Sequence, residues 1–512
     1  MKKYIYLLAA NLLLLGTASC TEELTQVPLS QGTEENFYAT PGDFNQARNA
    51  VYSVAFHGTG TYGYANRVLN LSETRSDNLL ALTTASRDWE GINSFYTSIS
   101  SNTYVKEAYL SNYNAIYKAN QLLEKIALKG NDIFTNPVDK ASMVAEARFL
   151  RAFCYFDLIR WFGKVPLIDR TMTAQETSKI GRSPVVDIYK LIIADLEAAI
   201  PDLSPSYDAA NFGRVTKYGA KGLLGLVYMT RSSPTYGIDG AMLGLNEWDK
   251  AYQQLNDIKT SGLYAFGTDY AAIFKTEGIA NKENILTIPY TQSVASSIGG
   301  NFMVELGYEP YFASVNLSAQ GALEARPIST GFLNMFAAND NRKTFGIATS
   351  YTVATGTYKG SYTLPVFKKY IDPTRYGTGG REDWGVDFMV MRYTDVLMMM
   401  AECTLHGGGG SQADVDAIVN QVRTRAGVPA TAANITLPQL FDERRKEFFS
   451  EGTRWFDLIR SGNAVTIMNA WRIAEDTGGK IRTIDNNMLL YPIPLQEILA
   501  VPGLYTQNLG YD

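Results

Sequence analysis

Glu447 and Glu451 stand four residues apart in DERRKEFFSEGTRWFDLIRSG (Asp442–Gly462), a spacing that puts both carboxylates on one helical face. Two carboxylates could hydrolyse a glycosidic bond, provided one is kept protonated near neutral pH. Arg444, Arg445 and Arg454 lie within a turn of the pair and predict the opposite, two ionised acids held in a salt-bridged scaffold. His57 and His406 are the only histidines, far apart and without a neighbouring Cys or His. A zinc site is therefore not expected, and a Ser-His-Asp arrangement has little to draw on. GTGTYG (Gly58–Gly63) has the form G-x-G-x-x-G, but it follows a helical pattern where a dinucleotide fingerprint needs a strand, and no helix is predicted after it. GGGG (Gly407–Gly410) lacks the Lys-Ser/Thr of a phosphate loop and reads as a turn between helices. These residues predict no catalytic group, no metal and no cofactor.

Binding chemistry is better represented. Tyr (32) outnumbers Phe (23), alongside 43 Gly and many Ser, Thr and Asn. A phenol offers a flat apolar face with a polar tip, which suits a ligand that is both apolar and hydroxylated. Three long stretches rich in Gly, Tyr and Ser, about 57–103, 276–327 and 346–391, read as loops, and ordered loops of that length are usually functional. Within them Trp89 sits among Arg87, Asp88 and Glu90, and Trp384 among charges and glycines in GGREDWG (Gly379–Gly385). Tyr308, Tyr311 and Phe312 crowd GYEPYF (Gly307–Phe312), where Pro310 predicts a fixed, non-helical presentation. Arg87, Trp89, Tyr308, Tyr311, Phe312 and Trp384 are thus the candidate ligand surface, expected to be exposed. Trp161, Trp248, Trp455 and Trp471 fall on helical patterns and are expected in the core.

The elements that must position these residues are mostly helices. Thr40-Pro41-Gly42-Asp43 and Ser183-Pro184 read as helix starts, and Ser411 with Asp414 as a capping box closed off by Gly427. Further helices are predicted at about 104–128, 138–162, 216–231, 246–261, 392–406 and 437–461. They come in pairs, with small residues in GAKGLLGLVY (Gly219–Tyr228) and a degenerate tetratricopeptide-type start in NEWDKAYQQL (Asn246–Leu255). The pentapeptide FDLIR occurs at Phe156–Arg160 and again at Phe456–Arg460. Each Asp-Arg pair is spaced i, i+3 and each helix ends soon after, at Gly163 and Gly462, so the repeat is predicted to be structural. Cys154 and Cys403 lie in apolar helical patterns and are expected as buried free thiols.

Lys2 and Lys3 precede an apolar stretch, Tyr4 to Leu15, too short to span a bilayer, and small residues then lead to Cys20. TASC here resembles the lipobox of bacterial lipoproteins, with Cys20 as the lipidated residue. This divides the chain into a signal peptide (1–19), a lipid-anchored tether (20–40) and a single domain (41–512). The domain comprises a helical-repeat part, about 41–275, and a loop-rich part, about 276–512. A net charge of −5 with 19% charged residues argues against nucleic acid as a partner.

A resemblance runs through nearly the whole mature chain. EARFLRAFCYFDLIRWFGKVPLI (Glu146–Ile168), DIYKLIIADLEAAI (Asp187–Ile200), RYTDVLMMMAE (Arg392–Glu402), VNQVRTRAGV (Val419–Val428), ERRKEFFSEGTRWFDLIRSG (Glu443–Gly462) and LYPIPLQEILAVPGLYTQNLGY (Leu490–Tyr511) resemble, in order, hallmarks of the SusD/RagB family. The resemblance implies a mainly α fold of tetratricopeptide-like helix pairs with long irregular loops and few short strands. It also implies a non-catalytic lipoprotein, anchored on the outer-membrane surface, that captures an oligosaccharide for a SusC-like TonB-dependent transporter. Oligopeptide capture is the alternative within the family. A surface glycan hydrolase or a purely structural adhesin lies outside it.

Overall fold

The computed structural model describes residues 37–58, 63–81, 87–293 and 299–512. The expected signal peptide (1–19), Cys20 and the tether as far as residue 36 lie outside the described residues, as do the central four residues of GTGTYG. The described residues divide into two units, 37–46 and 47–512. In the first, residues 37–46 open helix α1 (Pro41–Tyr52), where the Asp43 carboxylate accepts hydrogen bonds from the Thr40 backbone N–H (2.7 Å) and hydroxyl (2.9 Å).

In the second unit the long helices are α2 (Thr103–Ile133), α3 (Pro137–Phe162), α4 (Val185–Ala199), α5 (Lys217–Ser232), α6 (Trp248–Thr260), α7 (Tyr393–Leu405), α8 (Gln412–Arg425), α9 (Leu437–Phe448), α10 (Arg454–Arg460) and α11 (Ala464–Glu475). From α2 to α8 each helix packs on the next in sequence, the one-dimensional stacking of a repeat protein. Small residues set the closest approaches. A Cβ at Gly222 would meet the Met391 sulfur at 2.4 Å, and one at Gly225 would meet Leu255 of α6 at 3.1 Å.

Helix α6 ends at Thr260 and α7 begins at Tyr393, yet the two pack directly, so residues 261–392 form an insertion between neighbouring helices. The strands are short: β1 (Val165–Pro166), β2 (Arg182–Ser183), β3 (Asn284–Ile288), β4 (Ile347–Ala348), β5 (Tyr351–Val353), β6 (Gly360–Tyr362), β7 (Val366–Phe367) and β8 (Phe388–Arg392). They pair antiparallel as β1–β2, β3–β8, β4–β7 and β5–β6. The β3–β8 pair is the neck from which residues 289–387 emerge.

Ion pairs bolt that neck to the helices. Arg392 on β8 reaches Glu447 (2.8 Å) and Glu451 (2.8 Å), Lys369 reaches Glu451 (3.0 Å), and Arg425 of α8 joins Glu283 (3.1 Å) to Glu447 (2.6 Å). Glu447 and Glu451 are therefore salt-bridged as expected, but by other cations than expected. Arg444 turns to Asp457 and Asp395, and both Arg445 and Arg454 turn to Asp77. Sequence neighbours lose here to partners that tertiary packing brings to the opposite side. Burial alone would push the Glu447 carboxyl up; Arg425, Arg392 and Arg342 outweigh it and hold it at about 2.

The two FDLIR copies pack on each other. The Trp161 ring lies 4.4 Å from that of Phe456, and the Arg160 guanidinium sits 4.0 Å over Phe456. Asp157–Arg160 and Asp457–Arg460 pair at 3.2 and 2.7 Å. Trp161, Trp248, Trp455 and Trp471 are buried, and Cys154 and Cys403 are buried free thiols. Two expectations are corrected. The helix predicted over 437–461 breaks into α9 and α10, because Ser450 and Gly452 take φ of 62° and 73°. A short helix does open after GTGTYG, at Tyr64–Val68, but a π-helical turn (Ser53–His57), not a strand, precedes the segment.

Candidate functional site

The insertion and the 63–102 segment meet along residues 324–328. Leu79 bridges Ile328 antiparallel, and the Leu80 N–H donates to the Pro327 carbonyl at 2.8 Å. This junction brings Arg87 to Glu324 (2.8 Å) and seats the Arg326 guanidinium 5.0 Å over the Trp89 ring. Ala325, on the same strip, packs against a cluster of Tyr311, Ala348, Tyr351 and Val366, which Tyr308 and Tyr362 also cover.

The tyrosines interlock. Tyr351 and Tyr362 are register partners across the β5–β6 hairpin and stack at 5.5 Å and 12°. Tyr308 stands edge-on to Tyr362 at 6.3 Å, and Tyr311 edge-on to Tyr351 at 5.4 Å. The Tyr362 hydroxyl donates to the Tyr358 carbonyl at 2.8 Å. Burial raises three of these phenols: Tyr311 is pushed up to about 12, Tyr308 rises through burial with Tyr362 and Tyr358 beside it, and Tyr351 rises further. These hydroxyls stay protonated near neutral pH and can donate as well as accept.

A second group braces the first. The Glu309 carboxylate accepts from the Gln320 N–H (2.9 Å) and Ala322 N–H (3.1 Å), folding 309–322 into a closed loop. Gln320 in turn accepts from Trp384 Nε1 at 3.2 Å and donates to the Tyr376 hydroxyl at 2.9 Å. Tyr376 lies 4.8 Å from Trp384, and Phe312 lies 6.3 Å from it.

All six predicted residues thus lie in one loop-built region, but not all are surface. Trp384 and Phe312 are 0% exposed, and Trp89 and Tyr311 are each 8% exposed. The expectation of exposed rings is corrected for these four, which pin their loops. In GGREDWG the charges of Arg381 and Glu382 face solvent while Asp383 turns inward to the N–H groups of Gly379 (2.8 Å) and Ser293 (2.7 Å), leaving Trp384 on the inner side. Pro310 does not enforce a non-helical segment. It occupies the first turn of the short helix Glu309–Ser314, where its fixed φ is compatible. Arg87 is exposed and Tyr308 half-buried; with them the surface presents Leu323, Tyr358, Tyr362 and Tyr376, which the sequence reading missed. A usable signal existed in the Tyr-Gly clusters TYKGSY (Thr357–Tyr362) and TRYGTG (Thr374–Gly379).

Among the described residues no group of three or more His, Cys, Asp or Glu is placed to hold a metal ion. His57 is half-buried edge-on to Tyr290, and loss of solvent around its ring lowers it to about 4. His406 stacks 3.9 Å over Trp248. The surface offers ring faces and phenol hydroxyls beside the Arg87–Glu324 pair.

Comparison with known proteins agrees with the fold. A sequence profile described as "SusD family" matches residues 270–511, and one described as "Starch-binding associating with outer membrane" matches 47–229. The chain belongs to the SusD/RagB family. Over its full length it is 27% identical to SusD-like protein P2 of Formosa agariphila, covering all of that protein. To SusD-like protein P25 of the same organism it is 24% identical, covering 96% of this chain and 97% of that one. Among solved structures, surface glycan-binding protein A from Bacteroides fluxus superposes with a TM-score of 0.75 at 21% identity, covering 92% of this chain and 100% of that one. The SusD-like fold is thereby established for this chain: helix pairs, long loops and few short strands.

Proposed function

We propose that this chain is a non-catalytic surface lipoprotein of the SusD/RagB family that captures an oligosaccharide on its tyrosine-rich loop surface and passes it to a SusC-like TonB-dependent transporter. The observation that carries the reading is the Tyr308–Tyr358–Tyr362 cluster, partly exposed on a braced insertion. A sugar ring can lay its axial C–H face on such a plane while neighbouring hydroxyls and Arg87 bond its O–H groups. Relatives carry names of the same kind: one is a starch-binding protein from Bacteroides thetaiotaomicron, and a similar fold was solved in complex with laminarihexaose. The matched description "associating with outer membrane" and the TASC sequence support surface anchoring. Hydrolysis is disfavoured because Glu447, one half of the carboxylate pair the sequence offered, is held ionised in the interior.

The test is a glycan array probed with the full chain, followed by titration of the best ligand into Tyr308→Ala and Tyr362→Ala. Each truncation is expected to weaken binding by about 1–3 kcal/mol while the protein stays folded. Parent-like affinity in both variants would place the site elsewhere, and binding of peptides but no glycan would favour the oligopeptide alternative.

A further inference from the structure

On the far side of β3 from the packed interior lies a cleft of about 260 Å³ between the 205–216 loop, Leu263–Tyr264 and the 278–287 segment. It shares no lining residue with the tyrosine surface. Volumes of about 300–1,000 Å³ suit drug-sized ligands, so this one suits a single ring. Its floor is β3, whose irregular register turns Asn284, Ile285 and Thr287 to the cleft, while Leu286 faces the interior. Gly213, with φ of 91°, lets the loop close onto Pro289, which a Cβ would meet at 2.6 Å.

Two polar atoms in the floor have no partner. The Thr287 side chain is only 4% exposed, and its Oγ1 makes no hydrogen bond. The Asn284 amide donates to the Gly278 carbonyl at 3.1 Å, but its Oδ1 is buried and accepts nothing. A buried donor or acceptor left unpaired is costly, so a partner that completes both has a ready source of affinity. Around these atoms the cleft offers the Phe212 and Tyr264 rings and an apolar rim, Leu263 and Ile279, 40% and 48% exposed. The charge of Arg214 is already taken by Glu146 at 2.5 Å, so this wall does not call for an anion.

We propose that this cleft is a second carbohydrate site that takes one neutral sugar ring, with ring C–H groups against Phe212 or Tyr264 and sugar hydroxyls completing Thr287 Oγ1 and Asn284 Oδ1. Such a site would hold a short branch or chain end of a glycan independently of the tyrosine surface. Saturation-transfer NMR on the full chain in detergent, with methyl glycosides of glucose, galactose and mannose as probes, tests it. At least one probe is expected to bind the parent. Thr287→Val, which removes the hydroxyl at nearly constant volume, should weaken that probe about fivefold or more. Ile279→Trp, which fills the cleft from an exposed rim position, should abolish it, and Tyr308→Ala with Tyr362→Ala should leave it in place. The inference is overturned if no probe binds the parent, if the signal survives both cleft variants, or if the tyrosine pair alone removes it. Loss in the tyrosine pair would show the probe reading only the surface proposed above, and loss in the cleft variants would not touch that proposal.

Discussion

Arg460 donates to Glu402 over 2.7 and 2.9 Å and to Asp457 over 2.7 Å, and all three side chains are at most 5% exposed. Removing the cation leaves a buried carboxylate, Glu402, without its counter-charge. Arg460→Ala is therefore expected to cost about 3–5 kcal/mol of stability, with glycan affinity unchanged in the folded fraction. Chemical denaturation and titration of the same sample check both halves; normal stability with lost binding would contradict a structural role. Glu447 gives a pH signature. Its folded value of about 2 lies below the ordinary 4.5, so the unfolded chain takes up the proton first as pH falls. The stabilisation is complete above the ordinary value and is lost as pH drops from there towards 2, amounting to about 3 kcal/mol. Denaturation curves across that acid range should show Glu447→Gln losing much less stability than the parent. Equal losses would place the acid sensitivity in other groups.

Among the elements, the break between α9 and α10 decides where the second FDLIR points. Gly452 takes φ of 73°, and a Cβ there would approach Val68 to 2.6 Å. Gly452→Ala is expected to cost about 1–3 kcal/mol, seen as a lowered melting temperature. An unchanged melt would mean the turn tolerates a side chain by shifting Val68. The same break shows how much the sequence disclosed. Apolar periodicity revealed that the segment was helical, but not that Ser450 and Gly452 would take positive φ, with Gly452 set against Val68, which is remote in sequence. The site follows the same rule. GYEPYF, ASRDWEG and GGREDWG were legible as segments carrying rings, but the first two hold short helices, Glu309–Ser314 and Asp88–Asn93, and which ring faces water was not legible. Trp384 turned inward because Gln320 and Gly300 lay behind it, and neither is a sequence neighbour.

At the scale of the molecule, a stack of sequence-adjacent helices carries one long insertion on a two-stranded neck. The buried ion pairs around Arg392 sit at that neck and join β8 to α8 and α9, so the tyrosine-rich insertion stands on an ion-paired base. We propose that attachment to a membrane rests on the N-terminal segment. Cys20 is expected to be lipidated, with each buried acyl methylene contributing about 0.8 kcal/mol to anchoring. Cys20→Ala should lose acyl labelling and leave the membrane fraction on cell fractionation. Continued membrane partitioning of that variant would refute the lipoprotein reading.

The sequence alone determined the helical class, the neutralised glutamates, the core tryptophans, the buried thiols and the structural character of FDLIR. Each depends on spacing along one helix or on the chemistry of adjacent side chains. Only the tertiary structure decided that the two FDLIR copies face each other, that Arg392, Arg425 and Lys369 rather than Arg444, Arg445 and Arg454 hold the glutamates, and that Tyr358, Tyr362 and Tyr376 reach the surface while Trp384 and Phe312 do not. Periodicity reports which face of an element is apolar. It cannot report which distant segment will cover that face, because burial is settled by the neighbour that arrives.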